Sequence, residues 1–281
     1  MKDLYMRGNV RDGEKYSKID CPLCGSSDYK VEYKTKNFIF VRCNECGVLY
    51  QNPIPQTNFI QKRYDDKYFE YEVENHKNFF ELQKKTLNDI NIEKLAGGIK
   101  GKKFLDIGCA TGMLLNHFKN LGAIPYGVEI CTESCRYAYE HFGLTLYNGT
   151  LENAHYENDF FDIVHFSHLI EHLEKPIEFM KEVFRITKRG GIIIITTPRE
   201  DSFWAHIYKK KWRSLIPDHL ILFSRSHLIS LVKISGFEPI FEESWGSIPL
   251  DAKLKFLKPF SDRFAKKFDR GDVQCIVAKK V

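Results

Sequence analysis

No apolar run in the sequence approaches the roughly 18 residues that a membrane-spanning helix needs. Nor does an apolar signal-peptide core follow Met1-Lys2-Asp3-Leu4, so the expected compartment is the cytoplasm. An excess of one charge is missing too. The net charge of +5 is mild and spread over 281 residues, which does not argue for a nucleic-acid partner. With 43% hydrophobic residues and ordinary glycine and proline content, the chain is globular, with room for one full α/β domain and a small appendage.

Cysteine, by contrast, is plentiful. Four of the eight cysteines form two C-x-x-C-G knuckles, Cys21-Pro22-Leu23-Cys24-Gly25 and Cys43-Asn44-Glu45-Cys46-Gly47, with 18 residues between Cys24 and Cys43. Two such knuckles offer four sulfurs on two tight turns, the donor set of a closed, structural zinc site. A reducing cytoplasm disfavours disulfides there. Tyr29 to Val41 alternates like a β-hairpin, and so small a lobe needs its metal to fold. The lobe either recognises a substrate or partner, or braces the N-terminus. Cys109, Cys131, Cys135 and Cys275 read as small core residues.

Beyond the ribbon, Asn52-Pro53-Ile54-Pro55 is a rigid exit, and residues 57–96 read as one helical stretch ended by Gly97-Gly98. The organisation expected is a zinc ribbon over 1–55, a helical connector over 56–98 and an α/β domain over 99–281. Seven strands are expected in that domain, at about 103–109, 125–130, 144–148, 161–168, 191–197, 238–245 and 273–280. Helical patterns between most of them imply a doubly wound, mostly parallel sheet.

The most informative segment is Lys103-Phe104-Leu105-Asp106-Ile107-Gly108-Cys109-Ala110-Thr111-Gly112, with Glu129 following 17 residues after Gly112. An apolar strand ends in an acid, a Gly-flanked turn opens a helix, and a second strand ends in another acid. This is a nucleotide-binding βαβ unit whose second acid can accept hydrogen bonds from ribose hydroxyls. The dinucleotide fingerprint G-x-G-x-x-G is absent, because Ala110 and Met113 stand where it needs glycines. Asp106 would also repel a pyrophosphate and suits a cationic ligand.

The segment resembles motif I, (D/E)-x-G-x-x-x-G, of the class I S-adenosylmethionine-dependent methyltransferases. The resemblance implies a Rossmann-like methyltransferase fold and a cofactor site built from Asp106, Gly108, Cys109, Gly112, Glu129, Ile130, Thr150, Leu151 and Ser167. Thr150 replaces the acid that many relatives place near the adenine. Tyr64-Asp65-Asp66-Lys67-Tyr68-Phe69 resembles the aromatic segment that precedes motif I in ribbon-bearing methyltransferases, which implies Tyr68 over the cofactor.

His168-Leu169-Ile170-Glu171-His172 looks like the E-x-x-E-H of ubiquinone-pathway O-methyltransferases, with His168 in place of the first acid. His168, Glu171 and His172 are spaced to share one face of a helical turn, where they can move a proton or hold a divalent metal. His165, inside the strand, reads as a core histidine. The order W…P-x-H-L…F-S…L…G-F, from Trp212 through Pro217, His219 and Phe223 to Gly236-Phe237, resembles the substrate side of methyltransferases acting on sugars. His172 and His219 are therefore the two candidate bases. Lys209-Lys210-Lys211 suits an anionic, phosphorylated acceptor or is simply solvated. The basic segment 247–271 suits a homodimer edge, a surface loop or a membrane-skimming helix.

The function expected is O-methylation of a sugar or a sugar-containing polysaccharide precursor. The alternatives are an rRNA base methyltransferase using the ribbon, carbon methylation of a keto-sugar, and a non-catalytic cofactor-binding scaffold. The rRNA reading lacks an N-P-P-Y-like motif after the fourth strand.

Overall fold

The computed structural model describes residues 15–56, 66–246 and 269–281. The lobe opens with β1 (Tyr16–Ser17), β2 (Tyr29–Lys34), β3 (Ile39–Cys43), β4 (Leu49–Gln51) and β5 (Ile54–Pro55). β2, β3 and β4 form an antiparallel meander, so the expected hairpin is present and the second knuckle is its β3–β4 turn. Phe40, Leu49 and Tyr50 are fully buried, which gives the lobe an apolar centre.

Helix α1 (Asp66–Asp89) and the short α2 (Ile92–Leu95) replace the single helix expected over 57–96. The break falls at Asn91, whose left-handed backbone (φ 54°) lets its side chain accept from the Lys94 N–H. Residues 57–65, with Tyr64, lie outside the described residues, as do 247–268 of the basic segment.

The α/β domain follows as β6 (Lys103–Ile107), α3 (Met113–Asn120), β7 (Ile124–Glu129), α4 (Thr132–Phe142), β8 (Tyr147–Asn148), β9 (Phe161–Ser167), α5 (Pro176–Ile186) and β10 (Thr187–Pro198). After β10 come α6 (Phe203–Tyr208), β11 (Ile221–Leu222), α7 (Arg225–Ile234), β12 (Phe237–Trp245) and β13 (Val273–Lys280). Seven of these strands make one sheet in the order β12-β13-β10-β9-β6-β7-β8. Only β13 runs against its neighbours, so the sheet is mostly parallel, as expected. The third expected strand shrinks to two residues. The fifth begins four residues early, its register shifting between Thr187 and Ile192.

The order in which strands are added reverses about β6: β7 and β8 lie on one side, β9 and β10 on the other. A crevice at the carboxyl ends of strands is the ligand position that this arrangement creates. β11 does not join the large sheet. It pairs with β4, so the ribbon sheet runs in the order β11-β4-β3-β2 and borrows its last strand from the α/β domain. Among the described residues no helix is long and apolar enough to cross a membrane.

Candidate active site

Asp106 and Glu129 stand near the carboxyl ends of β6 and β7, both buried. Between β6 and α3 the backbone enters the left-handed region at Gly108, Ala110 and Gly112. The tightest of these positions is Gly112, where an added Cβ would stand 3.1 Å from the Ala138 Cβ. Glu129 fastens the turn to β7: its carboxylate accepts from the amides of Ala110 (2.9 Å) and Cys131 (2.8 Å). Burial pushes the Glu129 carboxyl upward against these amide bonds. Asp106 meets His165, the histidine expected in the core, with Oδ1 and Nδ1 2.7 Å apart.

The other cofactor candidates divide. Ser167 ends β9, and Ile130 and Thr150 border the same rim, half-buried. The side chains of Cys109 and Leu151 turn into the core, which leaves only their backbones for a ligand. α1 brings Tyr68 to Glu72, a residue the sequence reading missed. Glu72 is buried, and its carboxyl is pushed up to about 7 by that burial and by the charge of Glu129, against a hydrogen bond from Tyr68. α1 carries several acids, so nothing in the sequence distinguishes Glu72 from its exposed neighbours.

Four residues converge at the carboxyl end of β9. His168 has a left-handed backbone (φ 52°), and Ile170–His172 form a 3₁₀ turn in place of the shared helical face expected. The tighter turn buries Glu171 completely and leaves the His168 side chain half exposed. Glu171 accepts from His168 Nδ1 (3.2 Å) and from the Thr197 hydroxyl (2.9 Å), a contact that sequence reasoning did not find. Burial raises the Glu171 carboxyl, but His168 and the facing histidines bring it down to about 2.

His219 arrives from the 214–220 loop, its Nε2 4.0 Å from Glu171 Oε1 and its ring 4.8 Å from that of His172. Burial pushes His219 down to about 3, so it is neutral at physiological pH. His172 Nδ1 faces the Asp218 carbonyl and His219 Nδ1 the Ser214 carbonyl, both at 2.8 Å. A carbonyl only accepts, so each Nδ1 carries a proton, and the neutral His219 ring offers Nε2 as the acceptor. The divalent-metal set expected from His168, Glu171 and His172 changes accordingly. His168 serves Glu171, and the donor atoms lying within 4.8 Å of one another belong to Glu171, His172 and His219.

In the ribbon, the Sγ atoms of Cys21, Cys24, Cys43 and Cys46 all lie within 4.8 Å of one another. The pairs Cys21–Cys46 and Cys24–Cys43 are 3.5 Å apart. Four sulfurs so close fit the tetrahedral thiolate site expected, and these residues would hold a zinc ion. The lobe is tied to the α/β domain by the Arg42–Glu200 ion pair (2.5 Å) and by a 2.9 Å hydrogen bond between His227 Nε2 and the Cys46 carbonyl.

A reversed seven-stranded sheet with acids at the tips of β6 and β7 defines the S-adenosylmethionine-dependent methyltransferase fold. The chain belongs to the methyltransferase domain family, whose profile matches residues 80–241. It is 31% identical over 112 residues to a ubiquinone biosynthesis O-methyltransferase of Shewanella sp. (strain ANA-3), covering 38% of this chain and 48% of that protein. An uncharacterized protein of Methanocaldococcus jannaschii is 31% identical over 150 residues, 53% of this chain and 71% of its own length. The chain spans about half the length of the first curated relatives it matches. The crystal structure of a SAM-dependent methyltransferase from Archaeoglobus fulgidus superposes with a TM-score of 0.58 at 22% identity, covering 76% of this chain and all of that one.

Proposed function

We propose that the chain transfers a methyl group from S-adenosylmethionine to a hydroxyl oxygen of a small-molecule or glycan acceptor. When bound, the cofactor supplies a methyl group already activated by its sulfonium, so the protein's tasks are alignment and proton removal. The turn from Gly108 to Gly112, with Asp106 and Glu129, would hold the cofactor, and Tyr68 and Glu72 would border it.

The reading is carried by Glu171, His172 and His219, gathered at the carboxyl end of β9 with both imidazoles fixed to present Nε2. His219 Nε2 takes the acceptor's proton, and Glu171 stabilises the imidazolium that results. His219 is a weak base, which suffices because the hydroxyl becomes acidic as its oxygen bonds to the methyl carbon. His172 is the second candidate for the same step. The same three residues would alternatively be the donors to a divalent metal, in which case Nε2 of His219 would bind the ion instead of taking the proton.

Oxygen as the acceptor atom is supported by the name of the Shewanella relative. A sugar hydroxyl rests on the resemblance of the segment from Trp212 to Phe237, and the Lys209–Lys211 turn offers cations to a phosphorylated one. Calorimetry with S-adenosylhomocysteine tests the cofactor half, with binding expected for the wild type and lost in Glu129→Ala. Labelled-methyl transfer to nucleotide sugars, phenols and rRNA fragments then tests the acceptor half. A wild type that binds no S-adenosylhomocysteine overturns the reading in favour of a scaffold, and label in RNA alone overturns the hydroxyl small molecule.

A further inference from the structure

One ribbon side chain reaches the loop that carries His219. Gln51 closes β4 and is 1% exposed. Its Nε2 lies 2.6 Å from the His219 carbonyl, 2.8 Å from that of Pro217 and 3.3 Å from that of Ile216. The main chain adds a second tie: the Gln51 N–H donates to the Leu220 carbonyl (2.8 Å), and the Leu220 N–H donates to the Glu171 carbonyl (2.7 Å). Two consecutive main-chain hydrogen bonds thus lead from the ribbon to the Glu171 cluster.

Between Trp212 and β11 the chain forms only turns, so its own secondary structure does not fix it. Gln51 clamps this loop from outside, and Glu171 holds it from inside. The hairpin that supplies Gln51 also carries Cys43 and Cys46, two of the four thiols of the knuckles. None of these contacts involves the turn after β6, where the cofactor residues lie.

We propose that Gln51 is a positioning residue for His219, and that the ribbon is thereby the outer wall of the acceptor side of the active site. It neither braces the N-terminus alone nor acts as a separate recognition module. The two N–H bonds of the Gln51 amide hold the Ile216, Pro217 and His219 carbonyls in place. The His219 ring is thereby kept with Nδ1–H on the Ser214 carbonyl and Nε2 toward Glu171. The inference rests on the reading of His219 as the base.

The test uses the full, zinc-loaded chain with ring-¹⁵N histidine, comparing wild type with Gln51→Leu, which keeps the bulk and removes both donors. His219→Gln assigns the His219 signals. The wild type is expected to show His219 as a single Nδ1–H tautomer. Gln51→Leu is expected to lose that signature in favour of mixed tautomers, while its zinc content stays unchanged and its affinity for S-adenosylhomocysteine stays within about two-fold. A folded Gln51→Leu that keeps the single tautomer overturns the positioning role. So does a parallel loss of affinity for S-adenosylhomocysteine, which would mark a global effect. Should Gln51→Leu fail to retain zinc, Gln51→Asn withdraws the same amide by one methylene, and the same two readouts decide. Failure of the wild type to bind S-adenosylhomocysteine would instead sink the methyltransferase reading, and the tautomer comparison would still report on Gln51.

Discussion

Asp106 and His165 are register partners on the neighbouring parallel strands β6 and β9, and their side chains meet at 2.7 Å. Both are almost wholly buried, so the acid at the base of the β6–α3 turn is held from beneath by a histidine of the sheet. Replacing His165 by leucine keeps the bulk and strands the carboxyl. The expected cost is about 3 kcal/mol, read as a shift of the urea unfolding midpoint. His165→Gln, which retains a donor, should lose less. Equal losses in the two variants would show that packing, not the hydrogen bond, makes the pair matter.

Gly127 in β7 lies beside Asp106 on its other flank, and its missing side chain makes room for the turn. A Cβ there would stand 2.6 Å from Leu115 Cδ1 and from Leu146 Cδ2, and 2.8 Å from Cys109 Sγ. Gly127→Ala is therefore expected to destabilise by about 1–3 kcal/mol through overpacking. Because Cys109 belongs to the turn, affinity for S-adenosylhomocysteine should fall with stability. A thermal melt and calorimetry check the two effects separately, and an unchanged melt would contradict the packing described.

The βαβ turn proposed to hold the cofactor was legible because its signals are local. Asp106, Gly108, Gly112 and Glu129 fall within one βαβ unit, where alternation and glycine spacing speak directly. The two knuckles were legible for the same reason. The acceptor half was not: Gln51 meets His219 across 168 positions and Thr197 meets Glu171 across 26, and no period links such residues. β11 is two residues long, too short for alternation to show. The turn at 170–172 was misjudged because an i, i+3, i+4 spacing suits an α-helical face, whereas the 3₁₀ turn drove Glu171 inward.

Stripping zinc should expose four thiols without emptying the cofactor side. The four ribbon sulfurs, once freed, add to any of the remaining cysteines that react, and about one zinc per chain should leave with them. Thiol titration before and after chelation, with peptide mapping of the alkylated sites, checks this. Labelling that stays the same after zinc is removed would mean that the thiols do not hold the metal.

Acid should weaken the fold in two overlapping steps, one for each buried group at the acceptor side. His219 drops from 6.5 to about 3 on burial, so below pH 6.5 the unfolded chain takes up a proton that the folded chain refuses. Stability then rises with pH, by up to about 1.4 kcal/mol per unit, and is lost as pH falls from 6.5 toward 3. Glu171 is held from 4.5 down to about 2 despite its burial, chiefly by the His168 hydrogen bond, so its contribution is complete above pH 4.5 and lost as pH falls toward 2. Between pH 6.5 and 5 the Glu171 step has not begun, and the difference between wild type and His219→Gln isolates the histidine. The other histidines with lowered values, His76 and His117, are common to both proteins and cancel in that difference. Urea unfolding across this window should show a shallower dependence on pH in His219→Gln, with Glu171→Gln departing from wild type only below about pH 5. Parallel slopes for wild type and His219→Gln would mean that folded His219 accepts a proton as readily as unfolded chain does, and it would then be a strong base rather than the weak one that its burial makes it.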